Sequence, residues 1–408
     1  MDILFIHPNF PGQFLRLSEA LCNLKGYRVT TIGAVDRPNS HPAIGNLLEY
    51  PPPAKSGEQT QPLLKQFDEQ LNRGLAINKL LLEQKRQGFE PEVIYVHPGW
   101  GDGLFLKDLF PNATLVGLFE WFYSAHGADV GFDPEFPRRF VDMYRLRIQN
   151  TVQLHALNAC DILLSPTQWQ RKRYPDIYQP QIQVLHEGID TDRVAPKPQA
   201  SLRLSNGCEF KAGDEVLTYV SRGLEPYRGF HSFIRALPAI LNSRPDCHVL
   251  IVGGEKSHYG PEPNDAESWK VHYLKEVGSQ LDMSRIHFLG KVPYEDYLSV
   301  LQVSRLHIYL TYPFVLSWSM LEAMSTGCLL LASDTPPVRE FVKDGINGLL
   351  CPFFDQQALV EKAVAALSDP QRFNKLARKA RADIRKHYDF KKAILPAHLE
   401  LLEAIKPH

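Results

Sequence analysis

The residues best suited to chemistry cluster in two loops of the C-terminal half. Arg222 and Arg228 lie on one glycine-bearing loop, Ser221-Arg-Gly-Leu-Glu-Pro-Tyr-Arg-Gly229, directly after the apolar run 216–220. Two guanidinium groups placed this way can grip a diphosphate in bidentate fashion. The second loop passes through Phe314, Val315, Leu316, Ser317 and Trp318 to Ser319, after the apolar and aromatic run 306–310. Ser317 and Ser319 are both N-cap residue types, and Gly327 is a stop signal for the helix that follows. The start of such a helix offers unpaired N–H groups and a favourable dipole to an anion, and a phosphate is the expected one. Glu322, one turn further in, can accept hydrogen bonds from sugar hydroxyls. Taken alone, it reads better as an exposed helical glutamate.

The N-terminal half holds a second set. The run 3–6 reads as a strand, followed by the loop His7-Pro-Asn-Phe-Pro-Gly12-Gln13 and a helical pattern leading to a second strand at 29–32. This is the opening of a Rossmann-like domain, whose ligands sit beyond the strand C-termini. Without Gly-x-Gly-x-x-Gly, dinucleotide binding has no support. A strand at 93–96 ends in His97-Pro-Gly-Trp100-Gly, where the tryptophan face suits a pyranose ring or simply a buried turn. A strand at 114–119 leads to Glu120, Tyr123 and His126. Glu120 and His126 can each act as a base towards a hydroxyl, and His97, Trp100 and Tyr123 are the acceptor-side candidates. Arg138, Arg139, Arg145 and Arg147 make the helical stretch 136–159 basic, which fits an anionic acceptor, a membrane surface or a solvated face.

These residues need elements to hold them. Apolar runs alternate with helical patterns through both halves, so the fold class is α/β with parallel sheets. At 408 residues, with 44% hydrophobic and 22% charged content, the chain suits two domains of ordinary size. The expected boundaries are 1–195 for the first domain, 196–212 for a Pro-rich linker, 213–386 for the second domain and 387–408 for a closing helix. Residues 36–58 read as a loop, 63–87 as one or two helices with a break near Gly74, and 136–159 as one helix. A net charge of −1 offers no support for nucleic-acid binding. Six cysteines without a Cys-x-x-Cys pair argue against a zinc ribbon or disulfide framework and favour a reducing cytoplasm. No apolar run reaches the roughly 20 residues that span a bilayer.

The two arginines, Val249-Leu-Ile-Val-Gly253-Gly254, Phe288-Leu-Gly-Lys-Val292 and the Glu322 helix resemble family 4 of the GT-B glycosyltransferases. That family carries Gly-Arg-Leu…Lys-Gly, Val-Gly-x-Gly, Phe-x-Gly-x-Val and Glu-x7-Glu in the same order. The resemblance is specific over 214–352 and weaker before it. It implies two Rossmann-like domains facing a central cleft, and glycosyl transfer from a nucleoside-diphosphate sugar with retention and without a metal. A UDP- or GDP-sugar would serve as substrate, with no further cofactor. Gly12, Gly223, Gly253, Val292 and the loop Phe314–Ser319 would line the donor, with Arg222 and Arg228 on the diphosphate and Glu322 on the ribose. The acceptor would be a glycan, a lipid-linked molecule or a small molecule, and the protein cytoplasmic, with peripheral membrane contact open. One position departs from the pattern: Phe314 stands where the family has its first glutamate. That leaves a GT-B-like epimerase or hydrolase, and a silent nucleotide-sugar-binding protein, as alternatives.

Overall fold

The computed structural model describes residues 1–35 and 44–405. The chain forms two compact units, one of Met1–Gly188 with Phe390–His408, the other of Ile189–Asp389. Each is built on a parallel sheet.

The first sheet runs in the order β3-β2-β1-β4-β5-β6-β7. Its strands are β1 (Asp2–Ile6), β2 (Arg28–Ala34), β3 (Asn46–Tyr50), β4 (Val93–Val96), β5 (Thr114–Leu118), β6 (Ile162–Ser165) and β7 (Ile182–Val184). Because side chains alternate across a strand, an apolar run feeds both faces of the sheet. Ile3 and Phe5 of β1 pack with Phe14, Leu17, Phe390, Ile394 and Leu402. Leu4 and Ile6 pack on the other face with Ile77 and Leu81 of the helix Lys65–Arg86. The strand order reverses between β1 and β4, so the chain leaves these two neighbours towards opposite sides and opens a crevice at their C-termini.

The second sheet has the order β12-β11-β10-β13-β14-β15. It comprises β10 (Val216–Gly223), β11 (His248–Gly254), β12 (Ile286–Gly290), β13 (Leu306–Tyr309), β14 (Leu329–Ser333) and β15 (Leu349–Cys351). The helix Trp318–Thr326 connects β13 to β14, with Gly327 as its left-handed C-cap. Met320, Leu321, Ala323 and Met324 of that helix pack against Ala380 and Ile384. Among the described residues, no helix is long and apolar enough to cross a membrane.

Four expectations change. Part of the loop expected at 36–58 (residues 36–43) lies outside the described residues, and the rest contains the edge strand β3. The linker expected at 196–212 is a hairpin of β8 (Ser201–Arg203) and β9 (Glu209–Lys211). Its Leu202 and Phe210 are buried against Leu250, Val252 and Val300, so it belongs to the second unit. The helix expected over 136–159 divides into Phe140–Gln149 and Thr151–Ala159. Asn150, between them, uses its side chain to accept from Tyr123 N–H and donate to Tyr123 C=O, each at 2.8 Å.

Gly74 does not break its helix. A Cβ there would stand 2.8 Å from the Gly101 carbonyl oxygen, so the glycine permits close approach of the helix to the loop after β4. Gly74→Ala gains about 1 kcal/mol of helix propensity but must push backbone aside at a cost of about 1–3 kcal/mol. Net destabilisation is expected in urea unfolding, and a stabilised variant would refute the close-packing account.

Candidate functional site

In the second unit, the loop after β10 is organised by a carboxylate that the motif comparison passes over. Glu225 is fully buried and accepts the N–H groups of His258, Tyr259 and Gly260 at 2.9, 3.0 and 3.0 Å. Burial raises its carboxyl above the ordinary range, against the pull of those three donors. This ties the loop after β11 to the loop after β10 and brings Tyr259 over Arg228.

Arg228 is only 4% exposed. Its Nη1 donates to Thr311 Oγ1 at 3.1 Å and to the Val315 carbonyl at 2.8 Å. The rings of Tyr259 and Phe314 lie 4.7 and 5.7 Å from the guanidinium carbon. Phe314 in turn packs against Tyr259 at 5.0 Å and Tyr227 at 5.6 Å between ring centroids. The position that lacks the family's glutamate is thus filled by an aromatic wall around a buried cation. Arg228 holds loops together, whereas Arg222 is exposed.

Lys291, at the end of β12, is the second exposed cation here. Its stem crosses Gly254, where a Cβ would come within 2.8 Å of Lys291 Cε. Burial first, then the charges of Arg222 and Lys291, hold the His258 imidazole below its usual value. The C-terminal ends of β10, β11 and β12 therefore carry a local positive field beside Gly223 and Gly253. Val292 packs partly buried beneath, against the same cluster as Val220.

The loop from Phe314 enters its helix through Ser317, whose Oγ accepts the Ser319 N–H at 3.3 Å. The Ser317 N–H itself donates to Tyr309 Oη at 2.8 Å. Leu316 and Trp318 are half-buried beside it. Glu322 is 3% exposed and not a surface residue. Tyr294 Oη donates to its Oε1 and Tyr297 Oη to its Oε2, both at 2.6 Å. The Tyr297 hydroxyl lies well above its usual pKa, through burial and then the Glu322 charge.

One Asp-x-Asp triplet occurs, at Asp190-Thr191-Asp192. Asp190 Oδ1 accepts the backbone N–H of Asp192 and Arg193 at 3.2 and 3.3 Å, and Thr191 Oγ1 donates to Asp389. The triplet shapes a turn at the edge of the second unit.

The first unit assembles a polar cluster at its crevice. His7 follows β1 and His97 follows β4, with ring centroids 5.7 Å apart. His97 Nε2 lies 3.2 Å from Glu120 Oε2, and Gln13 Nε2 donates to Glu120 Oε1 at 3.0 Å. Gly12, at φ +49°, leaves room for the His7 ring, which a Cβ would meet at 2.5 Å. Burial alone would raise the Glu120 carboxyl. The His97 and Gln13 hydrogen bonds and the nearby histidine charges outweigh it, leaving the carboxyl below its ordinary value. Burial, then His97, pulls His7 down to about 3. His97 Nδ1 is buried without a hydrogen-bond partner. Glu187, after β7, is half-buried as a residue but keeps its side chain largely enclosed, with Oε2 at 3.6 Å from His186 Nε2. Its carboxyl is pushed up to about 7 by burial and then by the Glu120 charge.

Of the two residues expected to act as a base, the structure brings only Glu120 into this cluster. His126 is exposed on its loop, where Arg138 Nη1 donates to its Nδ1 at 3.1 Å. Trp100 is 41% exposed, with the Arg73 guanidinium over its face at 5.8 Å. Tyr123 is half-buried, and burial, then the Asp129 and Glu120 charges, raises its hydroxyl to about 12. The residues missed by sequence reasoning include His7, Gln13, Glu225, Lys291 and Tyr297. Tyr297 left a trace, since it lies one turn from Tyr294 on the same helical face.

Two family models match the chain, one over each half. The model described as "Glycosyl transferase family 4 group" matches residues 25–194, and that described as "Glycosyl transferases group 1" matches 205–383. The chain belongs to the family 4, group 1 glycosyltransferases. It is 25% identical to the GDP-mannose-dependent alpha-(1-6)-phosphatidylinositol monomannoside mannosyltransferase of Mycolicibacterium smegmatis, over 65% of either chain. It is 26% identical to the D-inositol 3-phosphate glycosyltransferase of Nocardia farcinica, over 54% of this chain and 48% of that one. The chain thus spans about half to two thirds of the length of these curated relatives. Its fold is similar to that of sucrose-phosphate synthase from Thermosynechococcus elongatus, with TM-score 0.72, 17% identity and 99% of each chain covered. It is also similar to Anabaena HepE in complex with UDP-glucose, with TM-score 0.66, 18% identity and coverage of 99% and 100%. These neighbours give this family member the two-domain α/β architecture called GT-B.

Glu187 supplies a test of the first-unit cluster. Its carboxyl titrates near 7 when folded and near 4.5 in an unfolded chain. Between those values the folded state holds more protons, so this group's contribution to stability falls as pH rises from 4.5 through 7. Glu187→Gln should match the parent below pH 4.5 and exceed it above pH 7 by about 1–3 kcal/mol. His7 and His186, both pulled down to about 3, impose the opposite slope on both proteins and cancel in the difference. Urea unfolding at pH 4.5 and 8 checks this, and an equal offset at both would rule it out.

Proposed function

We propose that this chain transfers a glycosyl group from a nucleoside-diphosphate sugar to a hydroxyl-bearing acceptor, with retention and with its own cations rather than a divalent metal on the leaving diphosphate. The observation that carries the reading is the exposed Arg222 and Lys291 at the C-terminal ends of β10 and β12, in a chain of this family. Two exposed cations at strand ends suit the charge that builds on a departing diphosphate. The start of the helix Trp318–Thr326 adds N–H groups and a dipole of the same sign, and Glu322 suits the ribose hydroxyls. In the first unit, the His97–Glu120–Gln13 cluster suits hydrogen bonding to sugar hydroxyls, with Glu120 ionised and able to accept. UDP- and GDP-sugars are the donors to try, because the relatives' names include GDP-mannose and the neighbours' titles include UDP-glucose.

Arg222→Ala and Lys291→Ala should each weaken UDP or GDP binding about tenfold or more, the size of one lost charge-assisted contact, with unchanged melting temperature. Calorimetric titration checks both. Unaltered affinity in both variants would remove the diphosphate site. Arg228→Ala is not a clean probe, because removing a buried cation disturbs Thr311, Val315 and the aromatic wall. Phe314 favours a second reading, donor binding without turnover. Release of UDP from UDP-glucose, or of GDP from GDP-mannose, in the presence of acceptors separates the two.

For the acceptor we propose a lipid-linked molecule reached at a membrane surface. Phe140, Val141 and Tyr144 are 70%, 49% and 50% exposed on the first-unit helix Phe140–Gln149, beside exposed Arg138, Arg139, Arg145 and Arg147. Aromatic residues set among cations suit an anionic interface. The protein should co-sediment with phosphatidylglycerol vesicles and not with phosphatidylcholine ones. Phe140→Ala with Tyr144→Ala should abolish the difference, and equal pelleting with both lipids would remove the proposal.

A further inference from the structure

The ribose part of the nucleotide reading rests on Glu322, yet in this structure the carboxylate is closed. At 3% exposure, with a phenol on each oxygen, it presents no open face to a ribose. The two phenols that close it are not equivalent. Tyr297 is 9% exposed and packs within the core cluster of Met320, Leu321 and Met324. Turning it away would open a hole in that core and strand a buried hydroxyl. Tyr294 is 36% exposed and is the first residue of its helix, Tyr294–Val303, after Pro293. Its hydroxyl can exchange the carboxylate for water at small cost. Its ring is flanked by the Arg193 guanidinium, 4.7 Å from the ring centroid, and Arg193 Nε donates to Glu295 Oε1 at 3.1 Å. That pair keeps the ring against its own helix without enclosing the hydroxyl.

We propose that Tyr294 is a removable cover on Glu322. A vicinal diol, the 2′- and 3′-hydroxyls of a nucleoside diphosphate, displaces its phenol from Oε1, while Tyr297 remains on Oε2 as the positioning residue that aims the carboxylate. This rests on the reading of Glu322 as the ribose ligand. The cover raises the threshold for binding: a ligand must bring hydroxyl donors to replace the one it removes. A nucleotide without them leaves Tyr294 in place and gains nothing from Glu322.

The test is a calorimetric titration of the full chain with UDP, GDP and their 2′,3′-dideoxy forms, comparing the parent with Tyr294→Phe, Tyr297→Phe and Glu322→Gln. Tyr294→Phe keeps the ring under Arg193 and should keep the melting temperature. It should bind the ribonucleotide 3- to 10-fold more tightly and the dideoxy form equally well, widening the ratio between them. Tyr297→Phe should weaken the ribonucleotide about tenfold and leave the dideoxy form unaltered. Glu322→Gln should abolish the ratio. Should the ratio survive in Glu322→Gln, or should neither ribonucleotide bind the parent or Tyr294→Phe, the ribose reading itself falls. Should Glu322→Gln abolish it while Tyr294→Phe binds the ribonucleotide no better than the parent, the cover alone is overturned.

Discussion

A guanidinium removed from water has to be satisfied by the protein around it, and Arg228 sets that demand at the centre of the second unit. Neutral oxygens of Thr311 and Val315 take its hydrogens, and the faces of Tyr259 and Phe314 take its charge. To supply them, the loops after β10, β11 and β13 must converge, and Glu225 fastens two of those loops through three backbone N–H groups. Phe314 then has a physical reason. The position faces an aromatic cluster and a cation already satisfied on other sides, and a carboxylate there would have to be desolvated among rings. The departure from the family pattern and the burial of Arg228 are two sides of one packing solution.

The first unit meets a related constraint with different residues. Its crevice gathers two histidines, a glutamine and two glutamates at the ends of β1, β4, β5 and β7, all largely buried. Coulombic coupling in a low dielectric sets their protonation against one another. Glu120 is pulled down by its hydrogen-bond donors, while Glu187 is pushed up by burial and by Glu120. Neighbouring carboxyls with separated affinities for a proton are a common arrangement where a site must hold one acid and one base. Here the separation arises from which of them Gln13 and His97 can reach.

Much of the fold was legible because buried parallel strands read as unbroken apolar runs, as at 93–96 and 329–332. The strand β3 was not, since as an edge strand Asn-Leu-Leu-Glu-Tyr carries neither a continuous run nor clean alternation. The hairpin at 201–211 was hidden by strands of three residues, each with a single buried side chain. At the site, chemical type was readable and exposure was not. Arg222 and Arg228 look alike in one loop, yet one is exposed and the other sealed. The pairing of His97 with Glu120 is set by adjacent strands of a sheet, and the grip of Tyr297 on Glu322 by two helices meeting. Neither follows any local spacing. His126 was expected as an alternative base because it is close to Glu120 in sequence, but its loop carries it to Arg138 instead.

The path of the chain has one more effect. Phe390, Ile394 and Leu402 complete the apolar layer over Ile3 and Phe5, although the whole of Ile189–Asp389 lies between them in sequence. During synthesis, the first sheet emerges with that layer incomplete, covered in part by Phe14 and Leu17, and it stays so until some two hundred further residues have been added. The second unit is contiguous in sequence, so all of its residues are made before Phe390 appears. The half of the molecule made first is therefore the half that finishes last. Until then part of an apolar sheet face lacks its cover, so the rate of translation through the second unit governs how long that exposure lasts.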